Sequence, residues 1–276
     1  TDAKWIDMNA DKEKDLLLSY EWGGVDCFIK STKGYTKKEI SSQKGWWQML
    51  YPADVDDDGD IDIVAGNYGL NSRLKASVDQ PVKLYINDFD DNGSTEQVMT
   101  YYVKGKEIPF ASKIQLEKKM PFLKKKFLYA ADFAKADIND LFGKNKINES
   151  KQLSVNCFEN TVFINNGNMN FSANALPYPF QLSTLKAAAT IQTYKDSEIA
   201  TLLMGNFYAN NVELGRQDAD FGSVLIKNED NTFGFSTLNG LAITGEVRKI
   251  QRISIGNRLA YILARNNNTV QVIAFK

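Results

Sequence analysis

The sequence contains no histidine, and this absence excludes several chemistries at the outset. Without an imidazole there is no Ser-His-Asp or Cys-His catalytic arrangement, no histidine-ligated zinc and no general base of the usual kind. Only two cysteines are present, which is too few for a disulfide framework. No run of about 18 apolar residues occurs, so we expect no transmembrane segment.

The net charge is also close to zero, because 33 basic and 34 acidic side chains sum to −1. This balance argues against a general nucleic-acid-binding protein, and we expect no nucleic-acid partner. With 276 residues, 43% of them hydrophobic, the chain can bury a full core as one large all-β domain or two smaller ones. No signal peptide is visible and residue 1 is threonine, so we expect a mature or trimmed piece of a longer chain. Cys27 and Cys157 are expected to be buried thiols, with a single bridge as the alternative.

The acidic residues are concentrated in three nine-residue segments, 7–15, 54–62 and 88–96. Together these segments contain 14 of the 34 acids, and segment 54–62 has six aspartates in nine positions. Carboxylates this close together repel each other strongly unless a cation lies among them. A solvated acidic loop explains any one segment, but it does not explain why all three share one spacing.

The shared spacing places an oxygen-bearing side chain at positions 1, 3, 5 and 9 of each segment. Hard oxygen ligands at alternate positions wrap a loop around one Ca²⁺ ion, while position 7 offers a backbone carbonyl. Mg²⁺ is disfavoured because it gives up water reluctantly and requires a stricter octahedron. We therefore predict up to three calcium sites. Their residues at positions 1, 3, 5, 7 and 9 are Asp54, Asp56, Asp58, Asp60 and Asp62; Asp88, Asp90, Asn92, Ser94 and Glu96; and Asp7, Asn9, Asp11, Glu13 and Asp15.

An EF-hand begins with the same spacing, but it needs helices on both sides and a bidentate acid at position 12. Position 12 is Ala65, Met99 or Leu18 in the three segments. The flanking residues form short apolar runs that are typical of buried strands. We therefore expect calcium loops between β-strands. Segment 7–15 is the weakest candidate, because Lys12 stands at position 6 where the other two segments have glycine for the sharp turn.

Strand-like runs recur along the whole chain and predict an all-β sandwich, barrel or propeller. They are 15–20, 25–30, 62–66, 82–86, 97–103, 161–165, 199–204, 222–226, 247–255, 259–264 and 269–275. An internal repeat helps to choose among these folds, because residues 63–68 align with 202–207.

The second copy of this repeat has lost its acids. In the same register its four ligand positions fall on Thr193, Lys195, Ser197 and Thr201. We expect this copy to have kept the fold without the metal. The Lys195 ammonium or solvent would then occupy the vacated space.

Residues 112–152 interrupt the pattern, because they have few β-branched residues and are predicted to be helical. We predict an insertion within a single domain that spans 1–276, with Pro121 marking a possible helix start. The segment carries a basic run, which we interpret as a solvated helix face. The alternative is a docking patch for an acidic partner or an anionic glycan. The run consists of Lys118, Lys119, Lys124, Lys125 and Lys126.

The pattern D-x-D-x-D-G-x-x-D at 54–62, followed by an apolar strand and Gly66-Asn67, resembles the FG-GAP/VCBS repeat. That repeat occurs in integrin-type β-propellers and in many secreted bacterial proteins. Over nearly its whole length the chain is similar to large exported bacterial proteins related to the ASPIC/UnbV group. The similar stretches are 45–47, 54–71, 122–143, 165–171 with 176–177, 205–216 and 245–267.

The resemblance implies a β-propeller, usually of about seven four-stranded blades. About four or five blade-like units are recognisable here. We therefore expect the carboxy-terminal blades of a ring that continues upstream, or alternatively a small propeller that closes alone.

Three functions remain open. We favour a non-enzymatic, calcium-stabilised module of an exported bacterial protein at the cell surface, outer membrane-associated or extracellular, which binds or scaffolds a protein or a glycan. The second is a propeller-based polysaccharide lyase or hydrolase, for which no catalytic residue can be nominated. The third is a subunit of a larger outer-surface complex.

Aromatic residues near predicted strand ends are interpreted as packing between blades, with a sugar-stacking platform as the alternative: Trp46, Trp47, Tyr68, Phe207 and Tyr208.

Overall fold

The computed structural model describes residues 1–192, 199–230, 232–238 and 240–275, and over these residues the chain is mostly β-structure. The strands, in chain order, are β1 (Asp2–Ile6), β2 (Asp15–Ser19), β3 (Glu21–Ser31), β4 (Gly34–Trp46), β5 (Met49–Ala53), β6 (Asp62–Gly66), β7 (Val82–Asn87), β8 (Glu96–Val103), β9 (Lys106–Pro109), β10 (Lys151–Val155), β11 (Thr161–Asn165), β12 (Phe171–Ala175), β13 (Leu185–Gln192), β14 (Ile199–Gly205), β15 (Ser223–Lys227), β16 (Phe233–Thr237), β17 (Val247–Ile255), β18 (Arg258–Arg265) and β19 (Gln271–Ile273). The α-helices are α1 (Lys113–Lys119), α2 (Phe122–Lys126), α3 (Ala130–Lys135), α4 (Ile138–Phe142) and α5 (Lys144–Glu149), and a 3₁₀ helix covers Tyr178–Leu182.

These strands form antiparallel sheets of three or four strands each. We call them sheet I (β1-β2-β3-β4), sheet II (β5-β6-β11-β12), sheet III (β10-β7-β8-β9), sheet IV (β13-β14-β15-β16) and sheet V (β17-β18-β19). Each sheet is built mainly from strands that follow one another in the chain. Antiparallel neighbours of this kind need only short connections.

The chain divides into two compact units. Unit 1 comprises Thr1–Arg73 and Phe158–Lys276, and it contains sheets I, II, IV and V. Unit 2 comprises Leu74–Cys157, and it contains sheet III and all five α-helices. The chain leaves unit 1 after β6 and returns at β11, which pairs directly with β6 in sheet II. The helical segment predicted over 112–152 lies inside unit 2.

Apolar side chains on alternate positions of the central strands pack the sheets of unit 1 against each other in succession. On β6, Ile63 belongs to the cluster shared with sheet I, while Val64 belongs to the cluster shared with sheet IV. On β14, Leu203 packs toward sheet II and Leu202 toward sheet V. Because strand side chains alternate between faces, both central sheets, II and IV, are covered on both sides. The packing order is therefore I, II, IV, V.

The repeat predicted at 63–68 and 202–207 falls on equivalent strands, because β6 and β14 are each the second strand of their sheet. A Cβ on Gly66 would lie 2.2 Å from the Leu185 carbonyl oxygen, and one on Gly205 would lie 1.7 Å from that of Thr184. Only glycine permits such close approach of two backbones. Thr201 is buried in β14. The other three predicted positions of the metal-free copy, including Lys195, lie outside the described residues.

Unit 2 has its own core, in which Tyr85 and Val98 of sheet III pack with Leu116, Leu123 and Leu141 of the helices. The helices are short, at five to seven residues each. Helix α1 begins with a capping box between Ser112 and Gln115, and α2 begins directly after Pro121. None of the described helices is long and apolar enough to cross a membrane.

Both cysteines are buried, and neither is in a disulfide bond. The prediction of buried thiols is therefore confirmed over the single bridge. Burial raises the pKa of the Cys27 thiol to about 12, which leaves it protonated and unreactive at neutral pH.

Candidate metal sites

The three acidic segments lie in three different sheets, each between two strands that are neighbours in the sheet. Loop 7–15 connects β1 to β2, loop 54–62 connects β5 to β6, and loop 88–96 connects β7 to β8. Each loop therefore joins two antiparallel neighbours, as the sequence predicted, and none is flanked by helices. The first two loops belong to unit 1 and the third belongs to unit 2.

Loop 54–62 is closed by hydrogen bonds between its own side chains and its backbone. The Asp54 carboxylate accepts the Gly59 N–H at 3.0 Å, and the Asp58 carboxylate accepts the Asp60 N–H at 2.9 Å. Asp57 and Gly59 have φ angles of 59° and 95°, so the chain turns sharply at positions 4 and 6. The structure thus uses Gly59 for the turn that its position predicted.

Loop 88–96 repeats this arrangement position by position. Asp88 accepts the Gly93 N–H at 2.8 Å, and Asn92 accepts the Ser94 N–H at 2.7 Å. Positive φ angles again fall on positions 4 and 6, at Asp91 (57°) and Gly93 (83°). Two loops of different sequence therefore share one backbone conformation.

Loop 7–15 adopts the same conformation without a glycine. Asp7 accepts the Lys12 N–H at 2.7 Å, and Asp11 accepts the Glu13 N–H at 2.8 Å. Ala10 and Lys12 take φ angles of 60° and 71°. Both are left-handed conformations that L-residues with a Cβ avoid, so this loop forms at a cost in backbone strain.

The carboxylate at position 9 ties each unit 1 loop to the third strand of its sheet. Asp62 is fully buried and accepts the Val55 N–H at 3.0 Å and the Asn165 N–H, at the end of β11, at 2.8 Å. Asp15 is also fully buried, and it accepts the loop's second N–H at 3.0 Å and the Lys30 N–H, near the end of β3, at 2.8 Å. Position 9 therefore has a structural role in addition to any role as a ligand.

Carboxylate oxygens converge in two of the three loops. In each of these loops, one oxygen from each of three carboxylates lies within 4.8 Å of the others, and the groups are Asp54, Asp56, Asp58 and Asp88, Asp90, Glu96. Each group could hold a metal ion. Among the described residues, loop 7–15 does not form such a group of three carboxylates, and it has Asn9 at position 3.

The donor set in these two groups fits a hard cation. Oδ1 of Asp54, Oδ1 of Asp56 and Oδ1 of Asp90 are buried and have no hydrogen-bond partner. Buried polar atoms are almost always satisfied, and an unpaired buried charge is costly. One cation in loop 54–62 would satisfy the Asp54 and Asp56 oxygens, and a second in loop 88–96 would satisfy that of Asp90, whereas water is a weaker counterpart for a cluster of carboxylates.

The pKa shifts in loop 54–62 favour neutralisation of its carboxylates by a cation. Burial raises the pKa of Asp62 to about 6, against the hydrogen bonds that lower it. Burial also raises the pKa of Asp56, and the charge of Asp58 raises it further. Asp88 differs, because the Gly93 N–H lowers the pKa of that carboxyl. Carboxylates held in an unfavourable charged state gain the most from a cation.

Two lysines contact loops 54–62 and 88–96 from other elements, and sequence reasoning did not find them. The Lys227 ammonium, on β15, donates to the backbone carbonyl of Asp56. The Lys146 ammonium, on α5, donates to the Asp88 carbonyl at 2.7 Å and to the Asp91 carboxylate. These partners are separated by 171 and 58 residues, so no local pattern could have revealed them.

The aromatic residues near the strand ends serve mainly in packing. Trp46, Trp47 and Tyr68 are 9%, 0% and 2% exposed, which favours the packing interpretation for these three. Phe207 and Tyr208 are half-buried, and each has a cation over its ring at 3.9 Å and 3.4 Å respectively. One face of each ring is therefore already covered.

The chain matches no known protein-family model, and no curated protein is significantly similar to it. The resemblance to FG-GAP/VCBS repeats therefore stays a prediction. The inference of metal binding comes from the loop oxygens themselves.

Replacing Lys12 with glycine is expected to stabilise loop 7–15. The Lys12→Gly variant removes a left-handed non-glycine residue, which corresponds to roughly 1 kcal/mol, and a positive charge beside the ligand positions. We expect a higher melting temperature with calcium and tighter binding at this loop, measured by calorimetric titration. Lys14→Gly removes the same charge where φ is not positive, and it should lower the melting temperature. Equal effects of the two variants would contradict this account of the turn.

Proposed function

We propose that this chain is a calcium-stabilised β-propeller module of the FG-GAP/VCBS type, from an exported, surface-associated bacterial protein, and that it binds or scaffolds a protein or a glycan. The observation that carries the proposal is the loop geometry. One nine-residue oxygen pattern takes one backbone conformation in three sheets, always between neighbouring strands. In two of the three loops its converging carboxylates include buried, unpartnered oxygens.

Calcium is the ion that suits these loops best. The ligands are carboxylate, amide, hydroxyl and carbonyl oxygens, which are hard donors. A flexible loop that offers many oxygens favours the larger ion, because Ca²⁺ accepts six to eight ligands in variable geometry. The ion would join the ends of two strands and neutralise the loop, which couples calcium binding to folding.

The packing of unit 1 supports the propeller. Its four sheets are antiparallel and follow one another in the order I, II, IV, V, as successive blades would. The metal loops of unit 1 join the first and second strands of sheets I and II.

Calcium titration of the intact chain tests the proposal. We expect at least two binding events by calorimetry, and weak affinities of ~10⁻⁴–10⁻³ M would suffice for an extracellular module. Magnesium at equal concentration serves as the control and should bind more weakly. The absence of calcium binding at millimolar concentrations would contradict the proposal.

A cluster of ionisable side chains outside the loops lies on sheet III, and its pKa shifts do not suit catalysis. Glu107 accepts hydrogen bonds from Lys83 at 2.9 Å, Tyr85 at 2.9 Å and Thr100 at 2.7 Å. The pKa of Glu107 is lowered by these donors, and burial raises the pKa of Tyr85 to about 12. A general base needs the opposite shifts, so this cluster supports a non-catalytic proposal.

The helical segment of unit 2 favours a second candidate, a docking role within a larger surface assembly. All five lysines of the basic run are exposed. Exposed apolar side chains accompany them, since Ile114, Leu128 and Tyr129 are 67%, 76% and 71% exposed. A surface that combines exposed lysines with large apolar groups suits an acidic partner better than solvent.

Charge removal in the basic run is expected to weaken binding to an anionic glycan. The variant Lys124→Gln/Lys125→Gln should elute from immobilised heparin at lower salt, because each lysine at an anionic surface contributes roughly 1 kcal/mol. The matched control Lys33→Gln/Lys104→Gln removes two other exposed lysines and should elute close to the parent. Equal shifts for both variants would show only an effect of net charge and would contradict a localised patch.

A further inference from the structure

A cavity of about 630 Å³ lies in unit 1 where the first strands of its four sheets converge. Its walls come from β1, from Gln48 and β5, from β13 and from β17. These are the strands that begin sheets I, II, IV and V, so the cavity is a consequence of how the sheets pack. The volume falls within the ~300–1,000 Å³ typical of small-molecule pockets.

The charged side chains around this cavity are almost all cationic. Five basic residues line it, against one acid, Asp2; the basic residues are Lys4, Lys186, Arg248, Lys249 and Arg252. Asp2 pairs with Lys4 at 2.9 Å. Among the residues that the structure describes, Lys249 and Arg252 have no carboxylate within ion-pair distance. The cavity therefore has an excess of positive charge.

The buried carboxylate of Glu246 holds two of these cations in place. Glu246 is fully buried, and its Oε1 lies 2.8 Å from Lys186 Nζ and 2.9 Å from Arg248 Nη2. Arg248 Nε donates to the same oxygen at 2.9 Å. Lys186 is only 9% exposed, so its position is set by packing. One carboxylate between two cations leaves a net positive charge on the cluster. The ion pairs also hold the Lys186 and Arg248 side chains in position before any ligand binds.

The cavity also offers neutral hydrogen-bonding groups. Each first strand is the edge strand of its sheet, so it carries backbone N–H and C=O groups that no neighbouring strand pairs. Some are already used across the cavity, since the Leu50 N–H donates to Asp2 at 2.9 Å and the Thr190 N–H donates to the Tyr51 hydroxyl at 2.6 Å. Gln48 adds an amide. Such groups suit the hydroxyls of a sugar.

We propose that this cavity binds a short acidic oligosaccharide, whose carboxylates face Lys249, Arg252 and the Lys186–Glu246–Arg248 cluster while its hydroxyls meet the strand edges. The inference names a ligand for the binding module proposed above and rests on that proposal for its biological setting. It requires unit 1 to be folded, but it requires no metal in contact with the sugar.

Calorimetric titration with the trisaccharide of galacturonic acid tests the proposal, with calcium in excess throughout. The trisaccharide of galactose is the neutral match. We expect the acidic sugar to bind with a Kd below ~1 mM, the neutral sugar at least tenfold more weakly, and the affinity to fall as salt rises. No binding of the acidic sugar at that concentration, or equal binding of both sugars, would overturn the proposal.

Charge-matched variants locate the binding site. Lys249→Gln/Arg252→Gln should weaken the acidic sugar at least tenfold, which corresponds to about 1.4 kcal/mol, with the melting temperature unchanged. Lys33→Gln/Arg258→Gln removes one lysine and one arginine that do not line the cavity and should bind like the parent. Equal weakening by both would overturn the assignment. Calcium titration run in parallel separates the two proposals, because sugar binding without calcium binding would defeat the calcium function alone.

Discussion

Removal of calcium with a chelator is expected to lower the melting temperatures of both compact units. Each unit contains one loop with converging carboxylates, 54–62 in unit 1 and 88–96 in unit 2. An ion that binds only the folded state stabilises it by about 2.7 kcal/mol when its concentration is 100 times its Kd. For units of this size each kcal/mol corresponds to roughly 2–8 °C, so we expect a loss of at least ~5 °C per unit.

Differential scanning calorimetry with and without chelator measures this loss, and variants assign it. Asp88→Asn/Asp90→Asn should abolish the calcium dependence of the unit 2 transition, and Asp54→Asn/Asp56→Asn should reduce that of the unit 1 transition, because unit 1 also contains loop 7–15. Re-addition of calcium should restore the parent transitions, whereas magnesium should restore them only in part. If the melting curve of the parent chain did not respond to chelator, the loops would be acidic turns without a metal.

Replacing Asp62 with asparagine is expected to be the most damaging single change in loop 54–62. Its carboxylate accepts N–H groups from Val55 and Asn165, and an amide can accept only on its oxygen side. One buried N–H would then face the new NH₂ group, at ~1–3 kcal/mol. Loss of the calcium contribution adds to this, so we expect a fall of roughly 3–5 kcal/mol in the free energy of unfolding.

Asp57→Asn is the matched control for Asp62→Asn, because it removes the same charge from the same loop. Asp57 is exposed at a non-ligand position, and asparagine tolerates its φ of 59°. Urea denaturation in excess calcium should show a near-parental midpoint for Asp57→Asn and a large decrease for Asp62→Asn. Similar midpoints for the two variants would mean that only the charge of the loop matters.

In sheets I to IV the sequence predicted the inner strands and missed the edges, whereas in sheet V it predicted all three strands. In sheets I to IV the strands recognised in advance are β2, β3, β6, β11, β7, β8, β14 and β15, which are the inner two of each sheet. The outer strands, such as β1 and β12, were not recognised. The inner strands of sheet II are covered on both faces and consist of apolar runs, as in Asp62–Gly66, which is wholly buried. Edge strands such as Phe171–Ala175 are largely exposed and carry no comparable pattern.

The sequence predicted that this segment is helical, but it did not predict the number or the bounds of the helices. Composition predicted helix over 112–152, and the structure has five short helices there, followed by β10 from Lys151. Strand β10 pairs with β7, more than 60 residues earlier in the chain. The grouping of these helices with sheet III in unit 2 depends on long-range packing, which local propensity does not encode.

The candidate metal sites were visible in the sequence because all their ligand positions lie within nine consecutive residues. Alternating oxygens and a glycine specify the turn locally, and the structure closes that turn with bonds inside the loop. The bond from Asn165 to Asp62 and the contact of Lys227 with Asp56 join residues more than 100 positions apart. The cationic cavity is the extreme case, because its walls come from four strands of four sheets. A metal site contained in one loop can be recognised from adjacent residues in the sequence. A cavity forms only when the sheets pack and bring distant charges together, so the sequence alone does not reveal it.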